Sequence, residues 1–303
     1  MPLQPSGASQ FALSTAWHLA QSEEPAEILR LTAELGFDGI ELSSLSAEAA
    51  GALRELLNSE PLPVVSIHAP CPIPYEGAAR LDDLACTDDR RRRAAVDYTK
   101  RTIDLATDVG ATAVVIHLGQ VPVSIPQSAV VDAMEQPNDQ WRDLLARGLA
   151  ERVAQVHRHL DLAIESLGDL TAHLHSSGVR LAVETRYEYN DVPNVDEFAT
   201  ILDRFSRQGV RYWHDVGHAH TQAVLGLATH QDYLDRYHAH LLGFHIHDAQ
   251  GTRDHRPPGE GEIDFAALVP YLRPEHLRVL EVASRHPAQE VARSREYLKA
   301  RGW

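Results

Sequence analysis

The chain has 303 residues, 28 basic against 43 acidic side chains, a formal net charge of −15 and 44% hydrophobic residues. That composition suits a globular protein with a sizeable core, and the acidic balance argues against a general nucleic-acid binder. No apolar run reaches membrane-spanning length. The N-terminal MPLQPSGASQFALSTAW has no basic segment leading into an apolar one, so no signal peptide is expected. Two cysteines, Cys71 and Cys86, are too few for a disulfide framework and fit a reducing cytoplasm. The unusual feature is 18 histidines beside only two lysines, Lys100 and Lys299.

Taken in chain order, short apolar runs predict strands at Phe11–Ser14, Gly39–Leu42, Val64–His68, Ala113–His117, Val179–Glu184, Arg211–Asp215, Leu242–His247 and Arg278–Val282. Amphipathic stretches such as Pro25–Leu35 and Arg93–Val109 separate them, with Gly36, Gly110, Gly178 and Gly209 as helix stops. The stretch from Trp141 to Ser177 exceeds an ordinary helix and is expected to bend or break. Continuous apolar strands alternating with helices imply a parallel sheet covered on both faces. Eight such units match a (β/α)8 TIM barrel, typically about 250 residues with room for insertions. An open doubly wound sheet is disfavoured because no glycine-rich dinucleotide loop follows the first strand. No linker divides the chain, so residues 1–303 are read as one α/β domain. Gly119–Asp139 and Asp248–Glu262 are expected to be long loops, functional or mobile.

The residues near the strand ends carry the functional signal. In order they are Glu41, His68, His117, Glu184, Asp215, His245 and Glu281. In a closed barrel these ends converge on one rim, where catalytic groups are found. Single buried histidines or glutamates commonly serve structure, but converging carboxylates repel and lose hydration unless a cation or proton compensates. A divalent metal site accounts for them. In VRYWHDVGHAH, alternation turns Asp215 and Trp213 one way and His214 the other, into the helix layer. His218, three residues beyond Asp215, can fold back over the rim. In GFHIHD, His245 and His247 share a face, so periodicity leaves both open as ligands.

These segments resemble the xylose-isomerase-like barrel superfamily, which holds sugar isomerases and epimerases together with the endonuclease IV type of abasic-site nuclease. The resemblance runs from GFDGIEL through SIHAP, VVIHLG, LAVET, HDVGHAH and FHIHDAQG to PPGEGEIDF and VLEV. It implies a metal held by Glu184, Asp215, His245 and Glu281, with His245 preferred over His247 because the family ligand precedes a polar pair ending in aspartate. It implies a substrate contact for His218 in the epimerases and a metal ligand there in the nucleases. His68, His117 and His255 match further metal ligands of the nuclease branch. That branch reads Asp-Arg-His where this chain has Arg253-Asp254-His255, so a complete three-metal set requires Asp254 to substitute for the missing ligand. ETRYEYND also lacks the small, polar segment usual in the nucleases.

Three carboxylates and one imidazole suit Mn²⁺ or Mg²⁺, with Zn²⁺ or Co²⁺ as alternatives, and one to three ions overall. The resemblance implies that Glu184 and Glu281 flank a substrate carbon and exchange its proton, the metal stabilising an enediolate. The expected activity is therefore isomerisation or epimerisation of a sugar or sugar derivative. The alternative is a multi-metal phosphodiesterase or abasic-site endonuclease. Glu41, Arg186, His247, Arg253 and Trp17 are candidate substrate contacts, the arginines because a guanidinium fork suits planar anions. Trp17 is equally expected in the core. A small-molecule partner is expected, with nucleic acid less favoured, no membrane, and a homodimer by analogy with related barrels. The basic Arg90–Arg93 run reads as a solvated helix start, and His173 and His175 diverge on a helix rather than forming a metal pair.

Overall fold

A computed structural model describes residues 10–22, 24–57, 62–73, 83–174 and 177–303. His175 and the first nine residues lie outside the described residues. Eight parallel strands close into a barrel: β1 (Ala12–Ser14), β2 (Gly39–Leu42), β3 (Val64–His68), β4 (Ala113–Ile116), β5 (Arg180–Glu184), β6 (Val210–Asp215), β7 (Leu241–Ile246) and β10 (Leu277–Leu280). Each β-neighbour pair follows chain order, and β10 pairs with β1 to complete the ring. All eight predicted strands are present, with ends shifted by a residue or two. Two further strands, β8 (Asp248–Gln250) and β9 (Arg253–Arg256), form an antiparallel hairpin where a loop was expected.

The period-two alternation of the strands sorts side chains into two cores. Outward residues such as Leu13, Ile40, Ile67, Leu181 and Phe244 join the large cluster beneath the helices. Inward residues Ala12, Ala113, Val115, Ala182, Trp213 and Val279 fill the lumen. Mostly small side chains there leave space for one indole. A Cβ on Gly243 would lie 2.5 Å from the Trp213 ring, so β7 carries glycine where Trp213 crosses the barrel. The top inward layer then consists of the polar rim residues.

The outer layer comprises α1 (Pro25–Glu34), α2 (Ala47–Leu57), α3 (Asp89–Val109), α4 (Gln127–Met134), α5 (Gln140–His173), α6 (Glu197–Phe205), α7 (Val216–Val224), α8 (His230–Tyr237) and α9 (Ala288–Lys299). The expected break after Trp141 is absent, because α5 runs unbroken for 34 residues. Its buried stripe, Leu145, Gly148, Arg152, Val156, His159, Ala163, Leu167 and Leu170, keeps helical spacing throughout. Arg152 anchors it through two bonds of 2.8 and 2.7 Å to Glu197. The expected loop Gly119–Asp139 likewise contains α4. At the Arg90–Arg93 start of α3, Arg91 pairs with Asp83 while Arg92 and Arg93 pair with Asp89. Among the described residues no helix is long and apolar enough to cross a membrane.

Candidate metal centre

Glu184 ends β5, Asp215 ends β6, His245 lies one residue before the end of β7, and Glu281 follows β10 directly. Alternation turns all four into the barrel, and the register sets Asp215 and Val279 beside His245 on its two neighbouring strands. Glu184, Asp215 and His245 are fully buried and Glu281 nearly so. One ligand atom from each lies within 4.8 Å of the others. His245 Nδ1 is 2.5 Å from Glu184 Oε1, 3.1 Å from Glu281 Oε2 and 3.8 Å from Asp215 Oδ2. Ligands about 2.1 Å from an octahedral cation lie about 3 Å apart, so the donors stand at coordinating separation.

The electrostatics agree. Burial by itself raises a carboxyl pKa, yet His245, His117 and His68 hold Glu184 well below the usual carboxylate range. His218 and His247 outweigh burial in the same way at Asp215, and His245, His255 and His68 do so at Glu281. Conversely, burial disfavours a charged His245, but Glu281, Glu41 and Glu184 push its pKa well above the usual imidazole value. Three ionised oxygen donors and one imidazole fit a divalent cation.

A second set meets at the other oxygen of Glu184. His117 Nε2 lies 2.5 Å and His68 Nε2 3.4 Å from Glu184 Oε2. Burial lowers the His68 pKa, but Glu184 and Glu281 overcome it and push the group up to about 9. Arg186 Nη1 approaches the same oxygen at 3.6 Å and its Nε approaches Asp191 at 3.5 Å. Arg186 therefore faces the rim, close to the metal-type carboxylate.

A third set lies beneath the β8–β9 hairpin: His218, His247 and His255 offer atoms within 4.8 Å of one another. His218, in the first turn of α7, donates its Nδ1–H to Thr185 O (3.0 Å), while its Nε2 stands 3.7 Å from Asp254 Oδ2. His255 has φ +54°, a left-handed conformation that non-glycine residues seldom adopt. This interrupts strand alternation, so consecutive residues Asp254 and His255 both reach the rim, with His255 Nδ1 3.1 Å from Asp254 Oδ1. Arg253 is 76% exposed and pairs with Glu135, away from the other rim residues.

Glu41 and Trp17 occupy other places than a substrate surface. Glu41 is fully buried, accepts from Ser66 Oγ at 2.7 Å and faces His245 Nε2. Trp17 is also fully buried, with its Nε1–H donated to His286 O at 2.9 Å, so it packs in the core. His214 turns into the helix layer as alternation predicts, where Tyr212 and His230 bond its two ring nitrogens. Cys71 is buried and free.

Three supporting residues escaped the sequence reading. Ser66 shares the inward face with Glu41, but a serine within SIHAP carries no distinctive signal. Asp248 accepts the backbone N–H groups of Gly259, Gly261 and Ile263, wrapping the loop beneath the hairpin around one buried carboxylate. A Cβ on Gly261 would lie 2.3 Å from Asp248 Oδ1, so the glycines of GEGE were the available signal. Gly217 lies against His247, whose Cε1 would be 2.0 Å from an added Cβ.

The model of the xylose isomerase-like TIM barrel family matches residues 29–301. This chain belongs to that family. The L-ribulose-5-phosphate 3-epimerase UlaE of Salmonella paratyphi C is 25% identical over 287 residues, covering 91% of this chain and 89% of that protein. Protein y4fM of Sinorhizobium fredii is 26% identical over 207 residues, covering 68% of this chain and 57% of y4fM. Among solved structures, a D-tagatose 3-epimerase-like protein superposes with a TM-score of 0.70 at 18% identity, covering 97% of each chain. The E. coli 3-keto-D-glucoside 4-epimerase YcjR gives 0.70 at 19% identity, covering 97% of this chain and all of YcjR. The zinc-bound IolI protein gives 0.65 at 15% identity, covering 96% of this chain and 97% of IolI. At these identities the structural likeness concerns the fold.

Proposed function

We propose that this xylose isomerase-like barrel is a divalent-metal-dependent epimerase or isomerase of a sugar or sugar derivative. The observation that carries the reading is the pair Glu184 and Glu281, both ionised and both within reach of the same His245 nitrogen. Two carboxylates beside one substrate carbon can remove its proton from one side and return it from the other. Glu184, Asp215, His245 and Glu281 hold the cation. When bound, that cation supplies the positive charge needed by an enediolate and draws an adjacent carbonyl and hydroxyl into place. In this reading His218 and Arg186 hold substrate oxygens at the rim. The epimerase names of UlaE and of the superposed structures support the same class of chemistry.

The test is deuterium exchange. With Mn²⁺ present, ketoses and ketose phosphates incubated in D₂O gain deuterium beside the carbonyl as they epimerise. Glu281→Gln abolishes both while retaining the fold by circular dichroism. Normal exchange in that variant overturns the assignment.

A multi-metal phosphoesterase is the second reading, supported by His68 and His117 on Glu184 Oε2 and by Asp254 facing His218. It requires at least two ions per chain by elemental analysis and cleavage of abasic DNA or a simple phosphodiester. One ion per chain and intact abasic DNA dismiss it.

A further inference from the structure

Glu41 is an expensive residue to place where it is. A carboxylate removed from water needs a compensating charge or several hydrogen bonds, and Glu41 is fully buried at the inward end of β2. Among the described residues its ion-pair partner is His245, which reaches it across the lumen from β7. The approach is two-pronged, with Nε2 3.1 Å from Oε1 and 3.0 Å from Oε2. Ser66 Oγ, opposite Glu41 in the β2–β3 register, donates to Oε2 at 2.7 Å and fixes the carboxylate. The His245 ring is meanwhile stacked on His68 at 5.6 Å and edged by Trp213 at 5.1 Å. The ring plane is set by packing, with Nε2 toward Glu41 and Nδ1 toward Glu184.

Because a cation takes the unprotonated nitrogen of a neutral imidazole, the group receiving the other N–H decides which atom coordinates. We propose that Glu41 is a positioning residue of the metal centre: it accepts the Nε2–H of His245 and thereby turns Nδ1 toward Glu184, Asp215 and Glu281. Ser66 orients Glu41 in turn. This inference rests on the reading that those four residues hold a divalent cation.

Calorimetric titration of the chelator-treated protein with Mn²⁺ tests it, together with nitrogen-15 histidine spectra of the Zn²⁺-loaded form. Wild type shows His245 protonated on Nε2. Glu41→Ala weakens Mn²⁺ binding about 10- to 100-fold, and Glu41→Gln, whose carbonyl can still accept Nε2–H, recovers part of the loss. Ser66→Ala, which leaves the carboxylate in place, costs about threefold to fivefold and serves as the test if Glu41→Ala does not fold. Affinity within twofold of wild type in folded Glu41→Ala, or in Ser66→Ala if only that variant folds, overturns the proposal. So does a Zn²⁺-loaded spectrum with the ion on Nε2. A wild-type protein that takes up no divalent cation overturns the metal-centre reading itself, a separate result.

Discussion

His247 holds Asp215 with one ring nitrogen and is held by the backbone of His255 through the other. Its Nε2 lies 3.0 Å from Asp215 Oδ1, and its Nδ1 accepts the His255 amide at 2.8 Å. The amide bond leaves the proton on Nε2, so His247 donates to the carboxylate. Although His247 belongs by distance to a metal-type cluster, both its nitrogens are occupied, and it would act on a bound ion only through Asp215. His247→Ala is therefore expected to weaken Mn²⁺ binding about tenfold without changing the number of ions bound. Gly217→Ala drives a methyl group into the same ring and shifts affinity in the same direction. Calorimetric titration checks both, and an unchanged affinity in His247→Ala refutes the role.

Acid sensitivity should come from buried histidines that do not face the rim. Burial lowers His18, His230 and His276 to about 4 and holds His214 well below its usual value. The unfolded chain protonates these rings near pH 6.5. Between pH 6.5 and 4 it binds more protons than the folded chain, so stability present above pH 6.5 is lost on acidification. For the rings held at about 4 the loss is about 2 kcal/mol each by pH 5. His68 and His255, both pushed up to about 9, behave oppositely: their stabilisation is full below pH 6.5 and is lost as the pH rises through 9, so they add nothing to the acid-side loss. Thermal melts from pH 7 to 5 should fall steeply, and His18→Asn should flatten the fall. A slope identical to wild type in that variant contradicts the assignment.

The lumen offers a packing test. Gly243→Ala presses a methyl group onto Trp213, and overfilling of this kind costs about 1–3 kcal/mol. Because Trp213 also edges His245, the loss of stability in urea should be accompanied by weaker Mn²⁺ binding. Unchanged urea stability would mean that the indole has room to move.

Removing the cation should destabilise the protein. A ligand present at about 100 times its Kd adds about 2.7 kcal/mol, so chelation is expected to lower the melting temperature and excess Mn²⁺ to restore it. In Glu184→Ala/Asp215→Ala, chelation should have no effect. A chelation response retained in that double variant would place the ion elsewhere.

The barrel was legible in the sequence because eight apolar runs repeat with helices between them, and because every rim residue falls on the inward parity of its strand. Trp213, His214 and Asp215 illustrate the rule: one fills the lumen, one enters the helix layer, one reaches the rim. Parity could not separate His245 from His247, since both face inward. Their difference lies in height along the barrel and in the partners met there, Glu41 for one and Asp215 for the other. At Arg253-Asp254-His255 the guanidinium's chemistry suggested a substrate contact, but the left-handed turn at His255 brings Asp254 to His218 and leaves Arg253 outside. The length of α5 was misjudged because length was weighed above the regularity of its buried stripe.

Glu184 gives one oxygen to His245 and the other to His117 and His68. The two ligand sets are thus joined through a single carboxylate rather than standing side by side. An ion bound at either oxygen would withdraw electron density from the other and displace the imidazole protons that it supports. Occupancy of one set would then alter the affinity of its neighbour, and a metal titration of this protein should not decompose into independent sites.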